Sequence, residues 1–404
     1  MGWRKFVEAL CFCCIVLIGT TACEDPKTPW ERHVETGELR IQQGRFQEAE
    51  GALKIALQEA EQFGEQDNRL PRTLSKLAVL YDMQGQYDKA EPLLKRAVAL
   101  HRNILQPNDP KLAISLSNLG ALHHAKRQFD KAKSLFTEAL KVREEALGKE
   151  HLDVVVDLKN LAGVHASKKE FEQAEPYLER ALSITEKNVG KDNPVLVESL
   201  NNLALLYRAQ KRYDEAIPLL RRAITINEQA YGEESPGLIG SLNNLAVIHI
   251  TQEAYSDAEI LLKQVVSITE RSFGPDNPRL VPSLTNLAEL YRLQEQFAQA
   301  IPLLDRALNI NEEKFGSDDP KIANLLNNLA LLHFNQGTYN QAAPLMKRAL
   351  TLNEKTLGTE HPTVARTLKN YAALLRKTNH ASQANELETR AKAILEKQGP
   401  SSLN

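Results

Sequence analysis

Beyond residue 23 this chain has no cysteine: its four cysteines are Cys11, Cys13, Cys14 and Cys23. Everything downstream therefore lacks disulfides and thiolate metal sites, and its stability has to come from packing alone. A charge surplus is also missing. The 50 basic and 52 acidic residues nearly cancel, so bulk electrostatics do not point to nucleic acid. There is no His-Glu-x-x-His pair, no phosphate-cradling glycine loop and no Gly-x-Ser-x-Gly elbow. An apolar run at residues 9–19 is too short to span a bilayer, which takes about 20 residues. Histidines are few, and the one adjacent pair is His123-His124. Acidic neighbours such as Glu144-Glu145 read as solubilising charge. No catalytic residue, cofactor or metal ligand is expected, and an enzyme is not.

What the chain does have is a period. A Leu-Ala pair returns every 42 residues: Leu77-Ala78, Leu119-Gly120, Leu161-Ala162, Leu203-Ala204, Leu245-Ala246, Leu287-Ala288, Leu329-Ala330 and a degenerate Tyr371-Ala372. A fixed step of this size marks stacked supersecondary units, each able to bury its apolar face only against its neighbours. In the copy that begins at Asn193, Leu196, Leu200, Leu203, Ala204 and Tyr207 form one stripe of an amphipathic helix. A polar turn at residues 209–212 follows. A second helix then starts at about Tyr213 and carries Ala216, Leu219, Leu220, Ala223 and Ile224.

The punctuation repeats as well. Asn193-Pro194 is a cap followed by a residue suited to the first helical position. Asp109-Pro110, Ser235-Pro236, Asn277-Pro278, Asp319-Pro320 and His361-Pro362 recur in its place. Gly148, Gly190, Gly232, Gly274, Gly316 and Gly358 close each second helix. A small residue early in the second helix (Ala90, Ala132, Ala174, Ala216, Ala258, Ala300, Ala342, Ala384) lets two helix axes approach. The slot four after the Leu holds Tyr81, His123, His165, Tyr207, His249, Tyr291 and His333, and it should face the core. His151 and His361 fall in loops. Against local rules, Pro92, Pro176, Pro218, Pro302 and Pro344 sit near the second turn of the second helix. Each removes one backbone hydrogen bond and belongs on the outer side.

These slots resemble the tetratricopeptide repeat, at Leu200, Leu203, Ala204, Tyr207, Ala216, Leu220 and Ala223 of that copy. The 42-residue length, the Asn-Asn-Leu-Ala core at residues 201–204 and the Gly-x-x-x-Pro loop are similar to the variant of kinesin light chains. The resemblance covers about residues 36–397. It implies an all-α fold, a right-handed α-solenoid of about nine stacked helix-turn-helix hairpins. Residues 36–68 read as a divergent first hairpin, with Phe46 and Ala49 in the aromatic and small slots. Residues 69–397 read as the tandem array with a polar final cap, where Leu375, Ala381 and Glu388 depart from the pattern. Residues 398–404 read as a flexible tail.

The amino terminus has a different layout. Arg4 and Lys5 precede the apolar run, and Thr20-Thr21-Ala22 supplies small residues before Cys23. This resembles a bacterial lipoprotein signal, with residues 1–22 removed, Cys23 lipidated, and residues 23–35 a polar tether. Thr20 departs from the usual aliphatic residue, and Glu8 intrudes on the run. Plain secretion and an uncleaved anchor remain alternatives. The expected location is an exported, membrane-anchored one.

The family resemblance implies a superhelix whose concave wall is lined by first helices. The slot just before the repeated Leu holds Asn118, Asn160, Asn202, Asn244, Asn286, Asn328 and Asn370. In peptide-binding relatives such a slot points into the groove, where an amide both donates to and accepts from a peptide backbone. The competing and compatible reading has these amides bonding the adjacent repeat and setting the stacking. Five residues after the Leu lie Asp82, His124, Ala166, Arg208, Ile250, Arg292, Phe334 and Arg376. With Lys159, Arg366 and Lys369, the arginines make a mildly basic groove, suited to a partner with acidic residues or a free carboxylate. The leading expectation is a non-catalytic, membrane-tethered scaffold that binds a peptide or partner protein in that groove. An envelope assembly factor using its convex face is one alternative. A cytosolic kinesin-light-chain-like adaptor is another, disfavoured by the signal-like start.

Overall fold

The computed structural model describes residues 28–397; the signal-like segment, Cys23 and the 398–404 tail lie outside the described residues. Those described form eighteen helices and no strand. In order they are α1 (Pro29–Gln42), α2 (Phe46–Gln62), α3 (Arg69–Met83), α4 (Tyr87–Ile104), α5 (Pro110–Ala125), α6 (Phe129–Leu147), α7 (Val154–Ser167), α8 (Phe171–Val189) and α9 (Leu196–Ala209). There follow α10 (Tyr213–Tyr231), α11 (Leu238–Thr251), α12 (Tyr255–Phe273), α13 (Leu280–Leu293), α14 (Phe297–Phe315), α15 (Pro320–Gln336), α16 (Tyr339–Leu357), α17 (Pro362–Lys377) and α18 (Ala381–Lys397). Odd and even members pair as hairpins, nine in all among the described residues, giving the all-α solenoid class. The chain divides into two compact units at Leu219–Leu220, inside α10, and each is described by itself.

The stripe read from the sequence is the core. Leu196, Leu200, Leu203 and Ala204 on α9 are all under 5% exposed. In the amino-terminal unit Leu77, Leu80, Leu94, Leu116 and Leu122 share one cluster. In the carboxy-terminal unit Leu284, Leu287, Leu304, Leu326 and Leu329 do the same. Every small-slot alanine from Ala90 to Ala384 is fully buried, as a close helix crossing requires. His123, His165 and His333 are buried as well, and their Nδ1 atoms bond Gln128, Glu170 and Thr338 at 2.7, 2.7 and 3.0 Å. Each ring is thus tied to the turn that follows it. The five in-helix prolines are exposed and leave their helices unbroken.

Local backbone chemistry explains the turns. Each first helix in the middle of the array ends in a left-handed residue: Arg127, Lys169, Lys211, Glu253 and Glu295 have φ between 57° and 62°. The next amide reaches back to the carbonyl four after the repeated Leu, as in Gln128 to His123 and Arg212 to Tyr207, both at 2.8 Å. This is a Schellman closure made without glycine. Gly148, Gly190, Gly274, Gly316 and Gly358 cap the second helices with positive φ.

Two expectations need correcting. The helix does not begin at the Asn-Pro or Ser-Pro step in every copy. Asp109, Asp319 and His361 cap helices that start at the following proline. Asn193, Ser235 and Asn277 likewise accept from the amide two residues on, but there the helix begins one residue later still. That first turn is closed by i−3 bonds such as Leu196 to Asn193, the tighter geometry common at helix ends. The supposed tether also proves partly helical. Pro29–Gln42 is a helix with a complete Thr28/Glu31 capping box, and Trp30 and Val34 are buried. Trp30 Nε1 donates to Thr73 Oγ1 at 2.9 Å. Residues 29–35 therefore belong to the first hairpin, because an indole and a valine gain more from burial than a tether would allow.

Candidate functional site

The slot before the repeated Leu is neither core nor fully open. Asn202 is 8% exposed, Asn328 is exposed, and Asn118, Asn160, Asn244, Asn286 and Asn370 are half-buried. Some of these amides tie neighbouring first helices together. Asn286 Nδ2 donates to Asn243 Oδ1 at 3.2 Å, and Asn370 Nδ2 to Asn327 Oδ1 at 3.0 Å. Both acceptors sit two residues before the Leu of the preceding repeat. In the amino-terminal unit the residue before Asn160 in that acceptor slot is Lys159, which has no acceptor to offer. There Asn202 Nδ2 is buried without a hydrogen-bond partner. The stacking role is thus present in the structure.

The cations expected to make this face basic are mostly answered from within. Lys159 is buried, its Nζ 2.6 Å from Glu198 Oε1. Arg292 grips Glu289 through two bonds of 2.7 Å. Arg376 grips Glu388 at 2.8 and 2.6 Å and Asn385 at 2.8 Å. Arg208 on α9 is different. It is half-buried, no carboxylate pairs with it among the described residues, and burial pulls its guanidinium below the usual value. Beside it on the helix lies half-buried Leu205. The mildly basic surface expected from the sequence thus narrows to one unanswered guanidinium in the amino-terminal unit, plus the exposed Arg366 and Lys369 in the other.

The other residues five after the Leu vary in kind. Burial raises the Asp82 carboxyl, and its Oδ1 has no hydrogen-bond partner. His124 is buried and bonds Ser167 Oγ at 2.9 Å. Phe334 lies against Tyr339, ring centres 5.6 Å apart.

A set of buried polar bonds between repeats was not foreseen. At three junctions it joins a second helix to the first helix after it, fourteen residues on. His101 Nδ1 meets Ser115 Oγ at 2.8 Å while its Nε2 meets Asn68 Oδ1 at 2.8 Å. Asn353 donates to Thr367 at 3.1 Å. In the strongest case Arg143 pairs with Asp157, which also accepts from Ser117 at 2.7 Å. Asp157 is wholly buried, and burial outweighs the arginine in raising its carboxyl. The available signal was a hydroxyl or acid four before the Leu, at Thr73, Ser115, Asp157, Ser199, Ser241, Ser283 and Thr367, inside an otherwise apolar stripe.

No group of three or more His, Cys, Asp or Glu among the described residues is placed to hold a metal. No described helix is long and apolar enough to cross a membrane.

Helix-turn-helix units of fixed length, with the Leu-Ala crossing and Schellman-closed turns, define a tetratricopeptide array. A family model of the MalT-like TPR region matches residues 30–315, more than half the chain, and tetratricopeptide repeat models match residues 285–355 and 321–397. The chain belongs to this family of TPR proteins. No curated protein matches it significantly. Among solved structures it is similar to the apo form of RapI, with 14% identity and a TM-score of 0.60 over 93% of this chain and 99% of that one. A Rap protein complexed with competence and sporulation factor gives 16% identity and 0.51 over 91% and 98%. These identities speak for the fold alone. A putative kinesin light chain from Podosopora anserina with nearly identical TPR-like repeats is 25% identical over 52% of this chain and 99% of that one, with a TM-score of 0.47.

Proposed function

We propose that this protein is a non-catalytic interaction scaffold whose first-helix face takes an extended peptide or a segment of a partner protein. The observation that carries the reading is Arg208. An unanswered, half-buried guanidinium is costly to keep unless something pairs with it, and its planar fork suits a carboxylate. The partner therefore presents an acidic side chain or a free carboxy terminus at α9. The half-buried amide of Asn160, in the same unit, serves the partner's backbone. Family membership supports the reading, since TPR arrays are interaction modules. So does the binding partner named for one Rap structure of the same fold.

The location follows from the amino terminus. The reading is an exported protein held to a membrane through a lipid on Cys23, so that the array meets partners near that surface. Secretion without a lipid is the alternative.

The test combines both. Native membranes from cells expressing the wild type, Arg208→Met or Cys23→Ala are crosslinked, and the captured partners are identified. The expected result is one partner crosslinked to α9 in the wild type and lost in Arg208→Met at unchanged helicity. Incorporation of an alkyne fatty acid should depend on Cys23. Capture of the same partner by Arg208→Met would move the binding site away from the first-helix face and favour an assembly role for the opposite one.

A further inference from the structure

Between α14 and α16, over the end of α15, the carboxy-terminal unit has a cleft of about 720 Å³. At three other junctions a tyrosine four after the repeated Leu hydrogen-bonds a glutamate on the preceding second helix: Tyr81 to Glu50 at 3.0 Å, Tyr207 to Glu179 at 3.4 Å and Tyr291 to Glu259 at 2.9 Å. At this junction the tyrosine slot holds His333. The slot of Glu50 and Glu259 holds Ile301, and the slot of Glu179 holds the shorter Asp305. His333 turns its Nδ1 to Thr338 instead. No tyrosine–glutamate bond crosses this junction, and both Asp305 and His333 line the open space.

The lining is apolar on its walls and rich in acceptors at its rim. Ile301, Pro302, Leu308, Leu329, Pro344 and Leu345 form the walls. Asp305 also lines the cleft, and its carboxylate has no hydrogen-bond or ion-pair partner among the described residues. Pro302 and Pro344 have no N–H, so the carbonyls of Ala298 and Asn340, four residues earlier, lack their intrahelical donor. Both of those residues line the cleft. A carboxylate and two freed carbonyls thus stand over an aliphatic slot. Asp305 is exposed, so a cation can reach it from solvent, while desolvation by the wall raises its carboxyl and lowers His333.

We propose that this cleft takes the side chain of a lysine from a partner protein, the ε-ammonium on Asp305 and the methylene stem along the apolar walls. A compact ammonium has three donors and no acceptor, matching the acceptors present. Its four-carbon stem covers apolar surface while the head stays polar. Arginine's fork also pairs with a carboxylate, but it brings five donors to one carboxylate and two carbonyls, whereas the three donors of an ammonium match them. This surface is separate from the first-helix face and does not depend on it.

The probe is the peptide acetyl-Leu-Lys-Leu-amide, titrated into the full protein and followed by amide chemical shifts in α14 to α16. Norleucine and glutamate versions serve as controls. The lysine peptide should bind about fivefold more tightly than the norleucine one, the upper range for a partly exposed ion pair, and the glutamate peptide should not bind. Asp305→Asn should remove that preference. Ile301→Glu with His333→Tyr, which installs the tyrosine–glutamate pair seen at Tyr81 and Tyr291, should abolish binding at unchanged helicity. Equal binding of the lysine and norleucine peptides, or an unchanged preference in Asp305→Asn, would overturn the proposal. Should the double variant misfold, Asp305→Asn alone decides.

Discussion

Gly120 stands where the other well-formed repeats have alanine after the repeated leucine. A methyl group there would lie 2.7 Å from Cε1, 2.9 Å from Cδ1 and 3.1 Å from Cζ of Phe136, inside the roughly 3.5–4.0 Å that carbon contacts prefer. The ring has nowhere to go: Phe136 is 2% exposed and packed with Ala132, Leu161 and Val164. Its own slot is aliphatic in the neighbouring repeats, at Leu94, Leu178, Leu220, Leu262, Leu304 and Met346. Gly120 and Phe136 therefore exchange volume across the α5–α6 contact. Gly120→Ala gains about 1 kcal/mol in helix propensity but overpacks the contact at about 1–3 kcal/mol, for a net loss of about 1 kcal/mol. Phe136→Leu alone leaves a gap beneath Gly120 that costs about 1 kcal/mol. The double variant recreates the alanine–leucine pair of Ala78 with Leu94 and should match or exceed the wild type, a coupling of about 1–3 kcal/mol. Urea unfolding followed by circular dichroism measures the sum. Hydrogen exchange in α5 and α6 locates it, since repeat arrays need not unfold as one unit. If the double variant shows only the sum of the two single losses, or Gly120→Ala stabilises by itself, the volume-exchange argument fails.

Other consequences follow from the same geometry. Arg143→Met strands the buried Asp157 and should cost about 3–5 kcal/mol by urea unfolding. Arg143→Asn with Asp157→Ser, the residue types of later repeats, should recover most of that. Lys211→Gly relieves a left-handed backbone at φ 62° and should stabilise by about 0.5–1 kcal/mol, measured the same way. Burial lowers the His101 imidazole below its ordinary value, so below pH ~6.5 the unfolded chain binds a proton that the folded one refuses. Stability should therefore fall as pH drops through that value, and the slope should flatten in His101→Asn, read from melting curves at several pH values.

The hairpins were legible in the sequence because their causes are short-range. A stripe of spacing three and four, a capping residue beside proline and a glycine after the last turn all act within a few residues of chain, and each copy confirmed the others. The glycine-free turns were harder to read, since Arg127 or Lys211 gives no local sign of adopting a left-handed conformation; the Schellman bond imposes it. The first helix was hidden for a related reason. Pro29 and Glu31 look like a polar tether until Trp30 finds Thr73, forty-three residues away.

By itself the sequence determined the period, the order of elements, the core stripe and hence the TPR fold, because burial of a repeated apolar face admits one kind of solution. The tertiary structure decided which polar groups of the face remain unanswered. Lys159 meets Glu198 from the next repeat and Arg376 meets Glu388 from the next helix, whereas Arg208 meets no carboxylate. It also decided that His333 turns its Nδ1 to Thr338 and leaves Asp305 without a hydrogen-bond partner among the described residues. Those outcomes depend on the reach of individual side chains across helices distant in sequence, and a difference of one methylene or one ring is enough to change them.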